Sequence, residues 1–370
     1  MHQDRLALLA LHFIPGLGDY LIRQLVSYCG SADRVFKIPK GKLLKIPGVG
    51  GVTADVIKRG EPFRQAESEF RKAEALDVEL IFFTDRHYPS RLKQINDAPT
   101  LIYRKGKMNF ENPKTVAIVG TRKATEYGKH CVESLVEGLA PHQACIVSGL
   151  AYGIDIHAHK QALACGLETI GVMGSGMDVI YPSAHRETVR KMYEHGGLVT
   201  EHPFGTPPDA HNFPARNRIV AGLCDAIVIV EAASKGGALI TADIANSYNK
   251  DVFAFPGNIG QHSSEGCNHL IKTNKAFLIT SVRDMEYLMN WSIDVPHPVK
   301  KGALDLSEFS ELEKPVIITL SENKNQLMID ELSWKTGLSV GELAAILLNL
   351  EFRGIVTSLP GKIFKLSRPL

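Results

Sequence analysis

Runs of four or five apolar residues recur through the middle of the chain, each followed by a stretch with helical spacing. They fall at 115–119 (TVAIV), 144–148 (ACIVS), 169–173 (TIGVM), 198–201, 226–230 (AIVIV), 252–255 (VFAF) and 277–280 (FLIT). Helical patterns lie near 128–140, 155–165, 184–194, 215–222 and 238–249. A strand that is apolar throughout is buried on both faces. The alternation over 114–291 therefore predicts an α/β fold, a Rossmann-like doubly wound and mostly parallel sheet. Ligands of such sheets sit outside the carboxyl ends of the strands, so the loops that follow the strands carry the candidate chemistry.

The flanks read differently. Residues 1–77 are helical in pattern, with a helix around 61–76, and are followed by a strand at 78–83 and a turn-rich link over 86–106. Two stretches look alike, IPGLGDYLIRQLV (14–26) and IPGVGGVTADVIK (46–58). A Gly-x-Gly turn entering a helix presents backbone N–H groups that suit a phosphate. The pair resembles a helix-hairpin-helix or SAM-like unit, and a plain helical domain with glycine turns fits the same residues. Lys45, Lys58 and Arg59 make the second turn the better candidate. The sheet domain is expected over 78–295 and a polar linker over 296–313. A winged-helix domain is expected over 314–370, with helices at 314–320, 328–335 and 339–349 and a hairpin at 355–366. Leu343, Ile346, Leu347 and Leu350 follow core spacing and leave Glu342, Ala345, Asn349 and Arg353 outside. That face suits a polyanion poorly, so this domain is expected to bind protein or pack on the chain.

Composition narrows the class. With 44% hydrophobic and 22% charged residues, the chain folds around sizeable cores. No run of 18 apolar residues implies a membrane span. The start lacks a signal-peptide pattern. The six cysteines, at 29, 131, 145, 165, 224 and 267, form no Cys-x-x-Cys pair, which fits thiols in a reducing cytoplasm. Net charge is +2: residues 1–110 carry +6, residues 300–370 balance, and the middle is −4. A weakly acidic middle binds phosphate only where its few cations converge.

Several loops could do this. The first strand leads into Gly120, Thr121 and Arg122, where amides and a fixed guanidinium meet. In SGLAYGID (148–155), Ser148, Gly149 and Gly153 allow close backbone approach, and Asp155 is placed to cap the next helix. Asp155 and His159 share a helix face as an acid/base pair would, though capping and packing account for both. His157 and His159 point apart on a helix, so no metal site is expected. GSGMDVIYP (174–182) offers Gly174 and Gly176, with Tyr181 and Pro182 closing the loop. FPARNRIVAG (213–222) places Phe213 beside Arg216, Asn217 and Arg218, a set able to stack a base and clamp phosphates. The same residues fit a buried Phe213 with arginines paired to Glu231 or Asp225. Lys235, Gly236 and Gly237 open a helix whose early turns hold Thr241, another phosphate geometry.

VGTR, SGLAYGID, GSGMDVIYP, EHPFG with FPARNRI, EAASKGGALITA, and FPGN with SEGCNHLI follow one another in the order of the DNA-processing protein A (Smf) family, which this chain resembles over about 114–280. The resemblance implies single-stranded DNA binding, homodimerisation and loading of a RecA-type recombinase during natural transformation. It implies no catalytic residue, cofactor or metal. Carried over, the DNA contacts are Arg122, Phe213, Arg216, Arg218 and Lys235, with amides near Gly120, Gly149 and Gly237. Alanine at Arg122 or Arg216 is then expected to abolish binding without unfolding the chain. One departure stands out: Lys235-Gly236-Gly237-Ala238 replaces the family's usual Ser-Gly-Ser-Leu. The same sheet also resembles phosphoribohydrolases, the rival enzyme reading. Their catalytic Glu is missing from SKGGALITAD, where Asp243 is the nearest acid and Glu231 precedes the loop. A dinucleotide-binding Gly-x-Gly-x-x-Gly after the first strand is absent.

Overall fold

In the first strand of the parallel sheet, Val116 and Ile118 enter one hydrophobic cluster and Ala117 and Val119 another. The two-residue period of a strand sends alternate side chains to opposite faces, and both faces here are covered. The computed structural model describes residues 2–60, 62–291, 306–323, 326–359 and 362–367. They fall into two units, Met1–Ile293 and Asp294–Leu370.

The first unit carries a nine-stranded sheet. Its strands are β1 (Glu79–Phe82), β2 (Leu101–Lys105), β3 (Thr115–Val119), β4 (Cys145–Ser148), β5 (Thr169–Val172), β6 (Gly196–Thr200), β7 (Ala226–Ile229), β8 (Asp251–Ala254) and β9 (Phe277–Leu278). Their order is β1-β2-β6-β5-β4-β3-β7-β8-β9. From β3 the chain winds outward through β4, β5 and β6, then returns to the other side of β3 for β7, β8 and β9. That reversal is the topological switch point, where such sheets hold ligands. The pairs from β6 to β9 are parallel, while β2 runs antiparallel to both β6 and β1. The helices Glu126–Leu139 and Ile154–Ala164 pack together beside one cluster, and Asn212–Leu223 and Gly237–Ser247 beside the other.

All seven expected strands of the middle segment are present, close to their expected bounds. The link over 86–106 is not all turn, because it contains β2. Two helices not read from the sequence, Glu265–Lys272 and Val282–Leu288, flank β9.

The helical segment shares a core with the sheet: Leu8, Ile22 and Leu25 cluster with Leu80, Phe82, Leu101 and Tyr103. Polar contacts lock the same face. Asp19 accepts from the Thr100 amide (2.7 Å) and hydroxyl (2.6 Å), and Arg5 pairs with Asp85 at 2.7 Å. Both glycine turns form as expected, with Gly16 and Gly48 at positive φ and Gly18 and Gly50 capping the helices Asp19–Cys29 and Gly51–Arg59. Lys58, counted as a phosphate donor from sequence, donates instead to the carbonyls of Phe36 (2.6 Å) and Ile38 (2.8 Å).

Arg218 ties the helical segment to β6. Its guanidinium bonds Glu201 and lies 3.5 Å from Asp19. Burial pushes the Glu201 carboxyl up to about 7; Arg218 opposes the shift, and Asp19 and Asp97 add to it. The unfolded carboxyl ionises near 4.5, so between that pH and about 7 the folded chain holds the extra proton. Stability from this group therefore falls as pH rises through that window. Glu201→Gln removes the fall. Urea midpoints of wild type and variant are expected to diverge from pH 5 to pH 8 in the variant's favour; parallel pH curves would refute the assignment.

The second unit has helices Glu313–Glu322, Ile329–Thr336 and Val340–Phe352 and a three-stranded antiparallel sheet, the winged-helix order. The strand Gln326–Met328, not read from sequence, pairs with Ile363–Leu366 of the hairpin. Residues 296–305 of the expected linker lie outside the described residues, and Phe309 belongs to this unit's core. Leu343, Leu347 and Leu350 are buried as expected, with Ile346 packed against them. The outer face of the last helix is more apolar than expected, since Leu348 and Phe352 (84% exposed) stand there too. Arg353 pairs with Glu313 at 2.9 Å.

Candidate functional site

A cleft of about 1010 Å³ opens at the carboxyl ends of β3, β4 and β7. Its lining includes Gly120, Thr121, Arg122, Gly149, Phe213, Arg216, Asn217, Lys235, Gly236, Gly237 and Thr241, residues that the sequence scatters over more than a hundred positions. Tyr181, Asp155, Pro208 and Ala210 also line it. Ser148, Gly153, Gly174, Gly176 and Arg218 do not line it.

Those five have other work. The Ser148 hydroxyl donates to the Ile118 carbonyl at 2.6 Å inside the sheet. Gly153, at φ +77°, lets the loop carrying Arg122 pass, because a Cβ there would lie 2.2 Å from the Thr121 carbonyl oxygen. Gly174 makes room for the Phe213 ring, and Gly176 for the Pro203 carbonyl. Arg218 turns to Glu201 and Asp19. The expected alternative partners are also excluded: Asp225 binds Arg91 at 2.7 Å, and Glu231 accepts from the Thr125 amide (2.9 Å) and hydroxyl (2.7 Å).

Arg216 forms the floor of the cleft rather than an exposed clamp. It is 4% exposed. Its guanidinium donates to the carbonyls of Gly149 (2.5 Å) and Val172. Burial lowers it to about 10, with Asp155 opposing the shift and Arg122 adding to it. Asp155 is not the helix cap. It sits in the first turn, after Gly153, and accepts from the amides of Gly149 (3.1 Å) and Ala151 (3.4 Å). Burial raises its carboxyl while Arg216 pulls it down. A Cβ on Gly149 would lie 2.5 Å from one Arg216 nitrogen and 2.6 Å from an Asp155 oxygen, so a larger residue would displace both groups.

Two of the amides expected to meet a ligand are already engaged, Thr121 by the Glu231 carbonyl (2.8 Å) and Gly149 by Asp155. The N-terminus of Gly237–Ser247 remains, and the first N–H groups of a helix have no acceptor within it. Asn217 steadies that turn by donating to the Gly237 carbonyl at 3.3 Å, as does the Thr241 hydroxyl at 3.0 Å. Arg122 and Lys235 are exposed on the cleft rim. The Arg122 guanidinium lies over the Phe213 ring, 5.5 Å from its centre. The Tyr181 ring stands 5.9 Å from that of Phe213, inclined by 39°. Tyr181 was read from sequence only as a loop closure; the tyrosine before its proline was the available signal.

Asp155 and His159 do not form an acid/base pair. His159 is fully buried, bonds the Thr169 hydroxyl at 2.7 Å, and is pushed by burial down to about 3. His157 pairs with Glu133 at 3.0 Å. Asp243 reaches Lys275 at 2.8 Å.

The doubly wound sheet with its cleft at the switch point defines a Rossmann-like fold that gathers cations, a helix N-terminus and aromatic rings in one place. Residues 79–290 match the family described as DNA recombination-mediator protein A, and residues 311–362 match the DprA winged helix domain. The chain belongs to the DNA recombination-mediator protein A family. It is 33% identical to protein Smf of Escherichia coli strain K12 over 313 residues, covering 83% of this chain and 82% of that one. It is 40% identical to DNA processing protein DprA of Streptococcus pneumoniae over 217 residues, 59% of this chain and 74% of that one. The X-ray structure of the Streptococcus pneumoniae protein superposes with a TM-score of 0.66 at 35% identity, over 75% of this chain and 95% of that one. DNA processing protein A from Helicobacter pylori, studied for its single-stranded DNA binding mode, gives a TM-score of 0.53 at 29% identity, over 58% and 95%. Among the described residues no helix is long and apolar enough to cross a membrane.

Proposed function

We propose that this chain binds single-stranded DNA in the switch-point cleft and passes it to a RecA-type recombinase, as a cytoplasmic homodimer serving natural transformation and homologous recombination. The observation that carries the reading is the meeting of Arg122, Lys235 and the Gly236–Gly237 turn with the rings of Phe213 and Tyr181 in one cleft. Cations and amides grip phosphates irrespective of sequence, while rings select unpaired bases. The single-strand binding of the Helicobacter pylori relative supports it. Asp243, the nearest acid in that loop, pairs with Lys275 at 2.8 Å, and Glu231, which precedes the loop, is 1% exposed and held by Thr125; both weigh against the phosphoribohydrolase alternative. For the second copy, the edge strand β9 leaves Phe277 and Leu278 half exposed, the kind of edge that pairs with its own copy. Sedimentation at the mass of two chains is the matching readout.

The test is a gel shift with single- and double-stranded DNA of one length across a salt series. Single strands are expected to bind tighter, with little sequence preference and a steep salt dependence. Equal affinity for duplex would sink the reading. In the same assay, deleting residues 305–370 is expected to leave affinity within a few-fold, because the outer face of that unit's last helix carries Ala345, Leu348 and Phe352. A hundredfold loss with the first unit intact would make the winged helix a DNA-binding module.

A further inference from the structure

Phe213, the aromatic that the sequence offers for stacking, is half-buried. Arg122 covers it at 5.5 Å and Tyr181 stands beside it at 5.9 Å, inclined by 39°. Gly174 backs it so closely that a Cβ there would lie 3.2 Å from its Cδ1. Phe213 thus also serves as a prop. Tyr181, which it supports, is 46% exposed and lines the cleft. A second ring follows. Tyr152, 49% exposed, meets His185 edge-on at 4.9 Å and 75°. His185 lies four residues beyond Tyr181 and is fixed by a 2.9 Å bond between its Nδ1 and the Leu150 carbonyl oxygen. The two tyrosines thus stand on the loops that follow the neighbouring strands β4 and β5, Tyr181 in the cleft lining and Tyr152 beyond it. Each is braced by another ring, and neither hydroxyl is tied to a partner among the described residues.

A strand whose phosphates are gripped at Arg122, Lys235 and the Gly237 helix turn must put its bases somewhere. We propose that Tyr181 and Tyr152 form a stacking rim for two further unpaired bases, leading the strand out of the phosphate cleft. The ligand is the flat face of a nucleobase, and the rim is indifferent to which base. This rests on reading the cleft as a single-strand site. Phe213 and Arg122 brace the Tyr181 ring in advance, so little freedom is lost when a base lands on it.

The experiment titrates the full chain with fluorescent oligothymidylate and with the same strands carrying one abasic position at each site in turn. Tyr181→Ala is expected to weaken intact strands roughly 5- to 150-fold, the span of one base–ring stack. Tyr181→Phe is expected to bind as wild type. Tyr152→Ala is expected to weaken only strands long enough to extend past the cleft. Neither alanine variant changes the salt slope, because neither removes a phosphate contact. For each variant, one abasic position is expected to erase the difference from wild type. Alanine variants that bind within twofold of wild type, or that lose as much on abasic as on intact strands, overturn the rim alone. A folded wild type that binds no single strand overturns the cleft reading and the rim with it.

Discussion

A chain carrying both Arg122→Ala and Lys235→Ala is expected to keep its melting temperature and to lose single-strand affinity by about two orders of magnitude. Both side chains are exposed on the cleft rim, so truncating them leaves no buried group stranded. A hydrogen bond to a charged group contributes about 1.5–3 kcal/mol, about tenfold or more for each phosphate contact. Losing two such contacts on a single strand also flattens the plot of log affinity against log salt by about 1.4. Arg122 has a second part, since its guanidinium caps the Phe213 ring. Arg122→Lys is therefore expected to restore the salt slope more fully than the affinity, because an ammonium is a point charge without a planar face. Lys235 stands where relatives usually carry a hydroxyl, so Lys235→Ser is expected to lose the charge term and retain the backbone contact. Unchanged binding by the double variant would place the phosphate grip elsewhere on the chain.

Arg216→Ala is expected to act on folding before it acts on binding, contrary to the expectation drawn from the sequence. The guanidinium is buried under the cleft, bonded to the carbonyls of Gly149 and Val172 and set beside Asp155. Removing it leaves a buried carboxylate and two carbonyl oxygens without their partner. Each buried acceptor left without its donor costs about 1–3 kcal/mol. The variant should melt well below wild type, and its DNA binding should fall with the folded fraction. Adding Asp155→Asn is expected to recover part of the loss by removing the stranded charge, since the amide can still accept from the Gly149 and Ala151 amides. Calorimetry on the single and double variants decides the matter. A single variant that melts normally yet binds no DNA would return Arg216 to the phosphate-contact role.

The sheet was legible because burial on both faces leaves strands as uninterrupted apolar runs. β2 was hidden because Leu101–Tyr103 is only three apolar residues long, between the Asp-Ala-Pro turn and Gly106. Gln326–Met328 is too short to show any period. The cleft was legible as a set of loops, since each follows a strand and carries glycine. The division of labour between Arg216 and Arg218 was not read, although the signal was there. Two residues apart on a helix of 3.6 residues per turn, their side chains diverge by about 200°, so both could not face one ligand. Which of them met the cleft, and that it met the cleft from beneath, depended on Gly149, Val172, Glu201 and Asp19. Those residues come from four other parts of the chain, and their proximity is a property of the fold.

The core shared by the helical segment and the sheet bears on how this protein can be taken apart genetically. The family motifs begin near residue 79, which invites an expression boundary there. Such a cut would strip Leu80, Phe82, Leu101 and Tyr103 of the side chains that cover them and leave Thr100 without Asp19. Loss of function in the shortened product would then report insolubility, and a role for the helical segment could be neither credited nor dismissed. Substitutions confined to the exposed Gly50 and Gly51, with Val49 and the buried helix faces left alone, are the cleaner way to ask what that segment contributes in a cell.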